Sequence, residues 1–174
     1  PDLLVACLVG DGEAETGPTA GAWHAAKFLN PATDGAVLPI LHLNGYKIAN
    51  PTLFASMDDD ELTALFTGYG YRPRIVSLRD GADIDIDLHA ALRGCHDDIR
   101  ALQAQARAGN PPAKPYWPML VLRTPKGWTG PGQVDGKPVE GSFRAHQVPA
   151  KDPASNPEHL KIVETWLRSY RPDE

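Results

Sequence analysis

Leu3-Leu4-Val5-Ala6-Cys7-Leu8-Val9, followed directly by Gly10-Asp11-Gly12-Glu13-Ala14-Glu15-Thr16-Gly17-Pro18, decides the fold. The apolar run is unalternated and too short for a core helix, so it reads as a fully buried strand. A glycine-rich acidic turn follows, and a helix is expected to begin near Thr19. Strand, glycine-rich turn and helix together are how α/β proteins build anion and metal sites. The turn fits neither common phosphate loop. Glu15 stands where the dinucleotide fingerprint needs its third glycine, and no Gly-Lys-Ser/Thr follows for a P-loop. An aspartate beside backbone amides instead suits a hard cation that neutralises a bound diphosphate.

Three more strands follow from the same logic: Val37 to Leu43, Arg74 to Leu78 and Met119 to Arg123. Pro39 argues against a strictly central place for the second. Between them lie a short helix through Gly21 to Leu29, a helix opened by the acids Asp58 to Glu61 and closed by Gly68 or Gly70, and a turn at Asp80-Gly81. A long helix then carries Leu88, Leu92, Cys95, Ile99, Leu102 and Ala106 as its apolar stripe, with Arg93, Asp97, Arg100 and Gln103 on a solvated face. Pro157 to Tyr170 reads as a last amphipathic helix. The fold class expected is α/β, a mostly parallel sheet with helices on both faces.

At 174 residues and 42% hydrophobic, one domain over 1–174 is expected, burying roughly 68–70% of its extended-chain surface. Within it, 124–156 is a glycine- and proline-rich region too long for a mere link, expected to be an active-site loop. The net charge of −5 and the scattered basic residues argue against nucleic acid. No apolar run approaches a membrane span and no signal peptide is visible, so a cytoplasmic location is expected. Cys7 and Cys95 read as small core residues. The abrupt start, with a core strand two residues after Pro1, suggests a piece of a longer chain.

Ligands in open parallel sheets sit outside the carboxyl ends of the strands. The turns holding Asp11, Asn44 and Lys126 each follow a strand in that sense. Asp11, the Asn44 side chain and the Tyr46 carbonyl supply three hard oxygens, leaving the rest of an octahedral Mg2+ shell to diphosphate and water.

The strings GDGEAETGP (10–18), HLNGYKIANPT (42–52), TPKGWTGP (124–131) and GSFRAHQVP (141–149) resemble phosphoketolase, in order and along essentially the whole chain. The resemblance implies a transketolase-like diphosphate domain with thiamine diphosphate and Mg2+ as cofactors. It implies metal ligation by Asp11, Asn44 and Tyr46, with cofactor contacts from Gly10, Asp11, Gly12, Glu13, Asn44, Tyr46 and Ile48. Lys126, His146 and Gln147 match the catalytic lysine and histidine-glutamine pair that face the sugar phosphate. The implied reaction is phosphorolytic cleavage of xylulose 5-phosphate or fructose 6-phosphate to acetyl phosphate and an aldose phosphate. The full-length enzyme is expected to be a homodimer, with further domains outside this chain; the isolated piece is expected to be inactive. A transketolase-like transferase and a non-catalytic binding module are the alternatives. His24 reads as a packing residue, His42 as a supporting contact, and His89, His96 and His159 as surface or structural residues. Glu15 suits the helix dipole, and Trp128 packs the loop or touches substrate.

Overall fold

The computed structural model describes residues 1–79 and 83–174, so the turn expected at Asp80-Gly81 lies outside the described residues. In chain order the elements are β1 (Leu4–Gly10), α1 (Asp11–Ala14), α2 (Gly17–Ala22), β2 (Ala36–Leu43), β3 (Tyr46–Lys47), β4 (Asn50–Pro51), α3 (Asp59–Tyr69), β5 (Tyr71–Ser77), α4 (Ile84–Arg107), β6 (Trp117–Arg123), β7 (Gln133–Val134), β8 (Lys137–Pro138) and α5 (Pro157–Ser169). Short 3-10 turns cover Trp23–Phe28, Phe54–Ser56 and Phe143–His146. The chain forms two compact units, Pro1–Leu43 with Thr52–Thr124, and Asn44–Pro51 with Pro125–Glu174.

The first unit carries the expected α/β fold. Its four-stranded sheet has the order β1-β2-β6-β5 and every pairing is parallel. Leu38, Leu41 and Leu43 of β2 and Met119 and Val121 of β6 pack with Leu62 and Phe66 of α3 and Cys95 and Ile99 of α4 in one core. The indole of Trp23 meets Phe66 edge-on at 5.0 Å and Tyr71 at 6.1 Å, tying the 3-10 turn to α3 and β5. Helix α3 begins where the acids place it. Asp58 accepts from the Glu61 N–H while Glu61 accepts from the Asp58 N–H, a complete capping box, and Gly70 ends the helix in the left-handed region.

Five sequence expectations need correction here. Among the described residues β1 is an edge strand, paired with β2 alone, and Leu8 is 68% exposed. An apolar run reports hydrophobicity but not its rank in the sheet, so Cys7 is exposed and only Cys95 is a core thiol, its pKa pushed up by burial. β2 is an interior strand despite Pro39, because its pairing to β6 begins at Ile40 and Pro39 lies outside the two-sided part. Gln103 is buried rather than solvated: its amide donates to the Asp34 carbonyl at 3.3 Å and accepts from Arg100 at 2.9 Å. The first helix starts earlier, at Gly17, with Pro18 in its first turn, and gives way to a 3-10 turn from Trp23, while the acidic turn before it carries the short helix α1.

The second unit is built from two short antiparallel ribbons and α5. β3 pairs with β4, and β7 pairs with β8 through an Asp135-Gly136 turn in which both residues have positive φ, 52° and 68°. That is the left-handed requirement that makes Asp-Gly a strong hairpin signal. α5 is capped by Asn156, whose side chain accepts from the N–H groups of Glu158 and His159, with Pro157 opening its first turn.

Replacing the capping aspartate, Asp58→Ala, is expected to destabilise the protein by about 1 kcal/mol. Urea unfolding followed by circular dichroism measures it, and an unchanged midpoint would remove the capping box from the determinants of α3.

Candidate functional site

In the first unit, Gly10 of β1 pairs with His42 of β2, Leu43 with Arg123 of β6, and Arg123 with Ser77 of β5. The carboxyl ends of all four strands therefore lie along one edge. Asp11 is the first residue past that edge on β1 and is 1% exposed. Its Oδ2 accepts from the Thr52 hydroxyl at 2.8 Å, and the same hydroxyl oxygen accepts from the Ala55 N–H at 3.2 Å. A carboxylate so far from water must be compensated by donors or by a cation, which makes Asp11 a designed position and not a surface turn former. The Glu13 carboxylate folds back over Gly10, where a Cβ would lie 2.2 Å from Oε2. Glu15 accepts from the Phe54 N–H at 3.2 Å and so ties α1 to the next 3-10 turn. His42 shares a hydrogen bond of 2.9 Å with the Thr124 hydroxyl.

In the second unit, the Asn44 side-chain oxygen accepts from the Tyr46 N–H at 3.1 Å, an Asx turn that fixes the carbonyl direction of the segment. The Tyr46 carbonyl accepts from Lys126 Nζ at 3.1 Å, so this oxygen faces a cationic group. Gly127, at φ 74°, follows Lys126; a Cβ there would sit 2.5 Å from the Ala145 Cβ, so only glycine lets the two backbone segments approach. Ile48 sits at φ 55°, an outlying conformation for a β-branched residue, and is 64% exposed. It lines a cavity of about 460 Å³ together with Arg144, His146 and Gln147.

The structure thus groups the sequence candidates into three sets. Gly10, Asp11, Gly12 and Glu13 stand at the end of β1 in the first unit, Asn44, Tyr46 and Lys126 make one hydrogen-bonded cluster in the second, and Ile48, His146 and Gln147 share the cavity. Lys126 does not line that cavity. Among the described residues, no group of three His, Cys, Asp or Glu side chains is placed to hold a metal; the expected ligand set, one carboxylate, one amide and one carbonyl, is of a different kind.

Sequence reasoning missed Thr52 and the role of His159. Thr52 lies 41 positions from Asp11 and has no local signature. His159 is buried, with Nε2 2.9 Å from Asp135 Oδ1 and Nδ1 hydrogen-bonded to the Lys151 carbonyl. Both ring nitrogens face acceptors, the arrangement of an imidazolium, and the hydrogen bond to Asp135, helped by the Lys151 carbonyl, raises its pKa. Its spacing on α5 looks like any amphipathic helix; only the hairpin turn brings Asp135 to it.

The first unit is an α/β domain with one buried carboxylate, Asp11, just past the carboxyl edge of its parallel sheet, the place where such sheets bind phosphorylated ligands. The chain belongs to the XFP N-terminal domain family, matched over residues 1–174. It is 62% identical over all 174 residues to a protein named probable phosphoketolase in Rhodopseudomonas palustris, and 60% identical to proteins of the same name in Synechococcus elongatus and Mycobacterium avium. In each case the whole of this chain aligns with 22% of the relative. No helix among the described residues is long and apolar enough to cross a membrane.

The raised pKa of His159 carries a sign. A histidine favoured in its charged form on folding contributes stability that is complete below its unfolded value, about 6.5, and is lost as pH rises through the higher folded value. Amide exchange at Asp135, Gly136 and Asp152 is therefore expected to accelerate as the pH is raised above about 6.5, beyond the intrinsic pH effect, and His159→Gln is expected to abolish that extra dependence. Identical pH profiles in the two proteins would contradict the imidazolium bridge.

Proposed function

We propose that this chain is the diphosphate- and cation-binding part of a thiamine-diphosphate-dependent phosphoketolase, which cleaves xylulose 5-phosphate or fructose 6-phosphate with inorganic phosphate to give acetyl phosphate and an aldose phosphate. Membership of the XFP N-terminal domain family along the full 174 residues is the observation that carries it. The buried Asp11 carboxylate and the Tyr46 carbonyl turned toward an ammonium group support the cation site. Their donor chemistry fits Mg2+, which takes hard oxygen ligands.

In this reading Asp11, Asn44 and Tyr46 are the protein ligands of the cation, and Gly10, Gly12, Glu13 and Ile48 contact the cofactor. When bound, the cofactor supplies the carbanion chemistry that breaks the carbon-carbon bond. The Lys126 ammonium balances negative charge on phosphate or on a developing oxyanion. His146 takes up and returns a proton at a ring nitrogen, and the Gln147 amide hydrogen-bonds a sugar hydroxyl. The full-length enzyme is read as a cytoplasmic homodimer whose remaining catalytic groups come from the sequence outside these 174 residues, so the isolated chain is expected to turn over no substrate.

Two variants of the full-length protein separate the roles. Asp11→Ala is expected to weaken Mg2+-dependent binding of thiamine diphosphate by at least about tenfold in calorimetry with the fold retained by circular dichroism; undiminished affinity would remove Asp11 from the ligands. His146→Ala is expected to lower acetyl phosphate formation by about 10²-fold or more with cofactor affinity intact, and full turnover would exclude it from proton transfer.

A further inference from the structure

His146 and Gln147 are both exposed, and the chain that follows them belongs to no helix or strand until α5 begins at Pro157. What holds this stretch is a short set of anchors. Ala150 is buried, Asp152 takes a left-handed turn at φ 55°, and its carbonyl accepts from the N–H groups of Ser155 and Asn156. Between that turn and Gln147 stands the Lys151 carbonyl, hydrogen-bonded to Nδ1 of His159 eight positions on. Nε2 of the same ring is 2.9 Å from the Asp135 carboxylate, 24 positions back in the β7-β8 turn.

The ring itself is fixed from its own side. His159 is 6% exposed and stands in the first turn of α5, where its N–H is donated to the capping Asn156 side chain at 3.3 Å. Other hydrogen-bonded histidines have a more local reach: His42 meets the Thr124 hydroxyl, and His96 bonds Asp97 and Arg100 on its own helix. His159 instead joins three segments, the hairpin turn, the stretch after Gln147 and α5. Asp135, His146, Gln147 and Lys151 line one cavity, so a shift at either partner of the ring is felt where His146 and Gln147 stand.

We propose that His159 is a positioning residue for the His146-Gln147 segment, holding the Asp135 turn and the Lys151 carbonyl together through its two ring nitrogens. The inference rests on the proposed function for what His146 and Gln147 do. With a proton on each nitrogen the ring donates to both oxygens. A neutral imidazole keeps one N–H, so its other nitrogen turns a lone pair toward an oxygen and that tie is lost. The charged groups bearing on the ring are Asp135 and Asp152, both acids, and with the Lys151 carbonyl they favour the imidazolium against the effect of burial. The tie is therefore complete below about pH 6.5 and is lost as the pH rises through the raised folded value. A proton-accepting His146 has the opposite sign, improving as the pH rises. An alkaline decline in turnover that moves when Asp135 loses its charge thus belongs to His159.

The test uses the full-length protein as wild type, His159→Gln and Asp135→Asn. The asparagine keeps an oxygen acceptor and tolerates a left-handed position while removing the charge. Two profiles are measured against pH: kcat for acetyl phosphate formation from each ketose phosphate, and amide exchange of the peptide 143–151 by mass spectrometry, corrected for the intrinsic pH effect. The wild-type kcat is expected to decline above about pH 6.5, with the decline shifted to lower pH in Asp135→Asn. His159→Gln is expected to lower kcat about tenfold or more at the wild-type optimum, to abolish that decline and to speed exchange in the peptide, with Mg2+-dependent affinity for thiamine diphosphate unchanged. Asp135→Asn keeps the test decisive if His159→Gln does not fold. A decline at the same pH in wild type and Asp135→Asn, or exchange unaltered by both substitutions, overturns the proposal. If the wild type turns over neither ketose phosphate, the failure is that of the proposed function, and the positioning role falls with it even where the exchange profiles still show the tie.

Discussion

The hydrogen bond from Thr52 to the buried Asp11 carboxylate is the constraint around which the first unit is arranged. Removing a carboxylate from water is costly unless donors or cations replace the lost hydration. Three placements are needed to achieve it here. β1 must end in register with β2, so that Asp11 emerges at the sheet edge. The chain must leave the unit after Leu43 and return at Thr52, the first residue of the re-entering segment. The Thr52 hydroxyl must then be oriented, which the Ala55 N–H does by donating to it. A hydroxyl so fixed points its proton at Asp11.

The second unit solves a different problem, that of giving shape to a stretch with little regular structure. Positive φ at Asp135 and Gly136 closes one ribbon, the missing Cβ of Gly127 lets the backbone pass close to Ala145, and His159 ties two separate segments of the irregular region to α5. Each is a local device with a few hydrogen bonds behind it, in contrast to the extensive apolar packing of the sheet. Stability in such a region is expected to respond to pH and ligands more than the sheet core does. Ile48, held at an unfavourable φ beside the cavity, fits the tendency of backbone strain to collect at binding sites.

Much of the fold was legible in the residues. Four unalternated apolar runs gave the four parallel strands, the Asp58 and Glu61 pair marked the start of α3, and the stripe through Cys95, Ile99 and Ala106 predicted the buried face of α4. What was not legible depended on position in three dimensions. β1 reads like a central strand because hydrophobicity is the same whether the second neighbour is present or not, and Pro39 misled because register, which no pattern reports, leaves it outside the two-sided ladder. Gln103 carries a polar side chain whose partners, Asp34 and Arg100, become visible only on packing. At the candidate site, Asp11, Asn44, Lys126 and His146 stood out because unusual residue types follow strands or sit in glycine-rich turns. Thr52 and His159 did not, since their parts depend on partners supplied by the fold.

The cation site is most directly tested by anomalous diffraction at the manganese edge, from crystals of the full-length protein grown with thiamine diphosphate and Mn2+ in place of Mg2+. The expected result is a single strong peak within about 2.5 Å of an Asp11 carboxylate oxygen, the Asn44 side-chain oxygen and the Tyr46 carbonyl, with Lys126 withdrawn from that carbonyl. A peak held by other side chains, with Asp11 still bonded to Thr52 and distant from the metal, would contradict it.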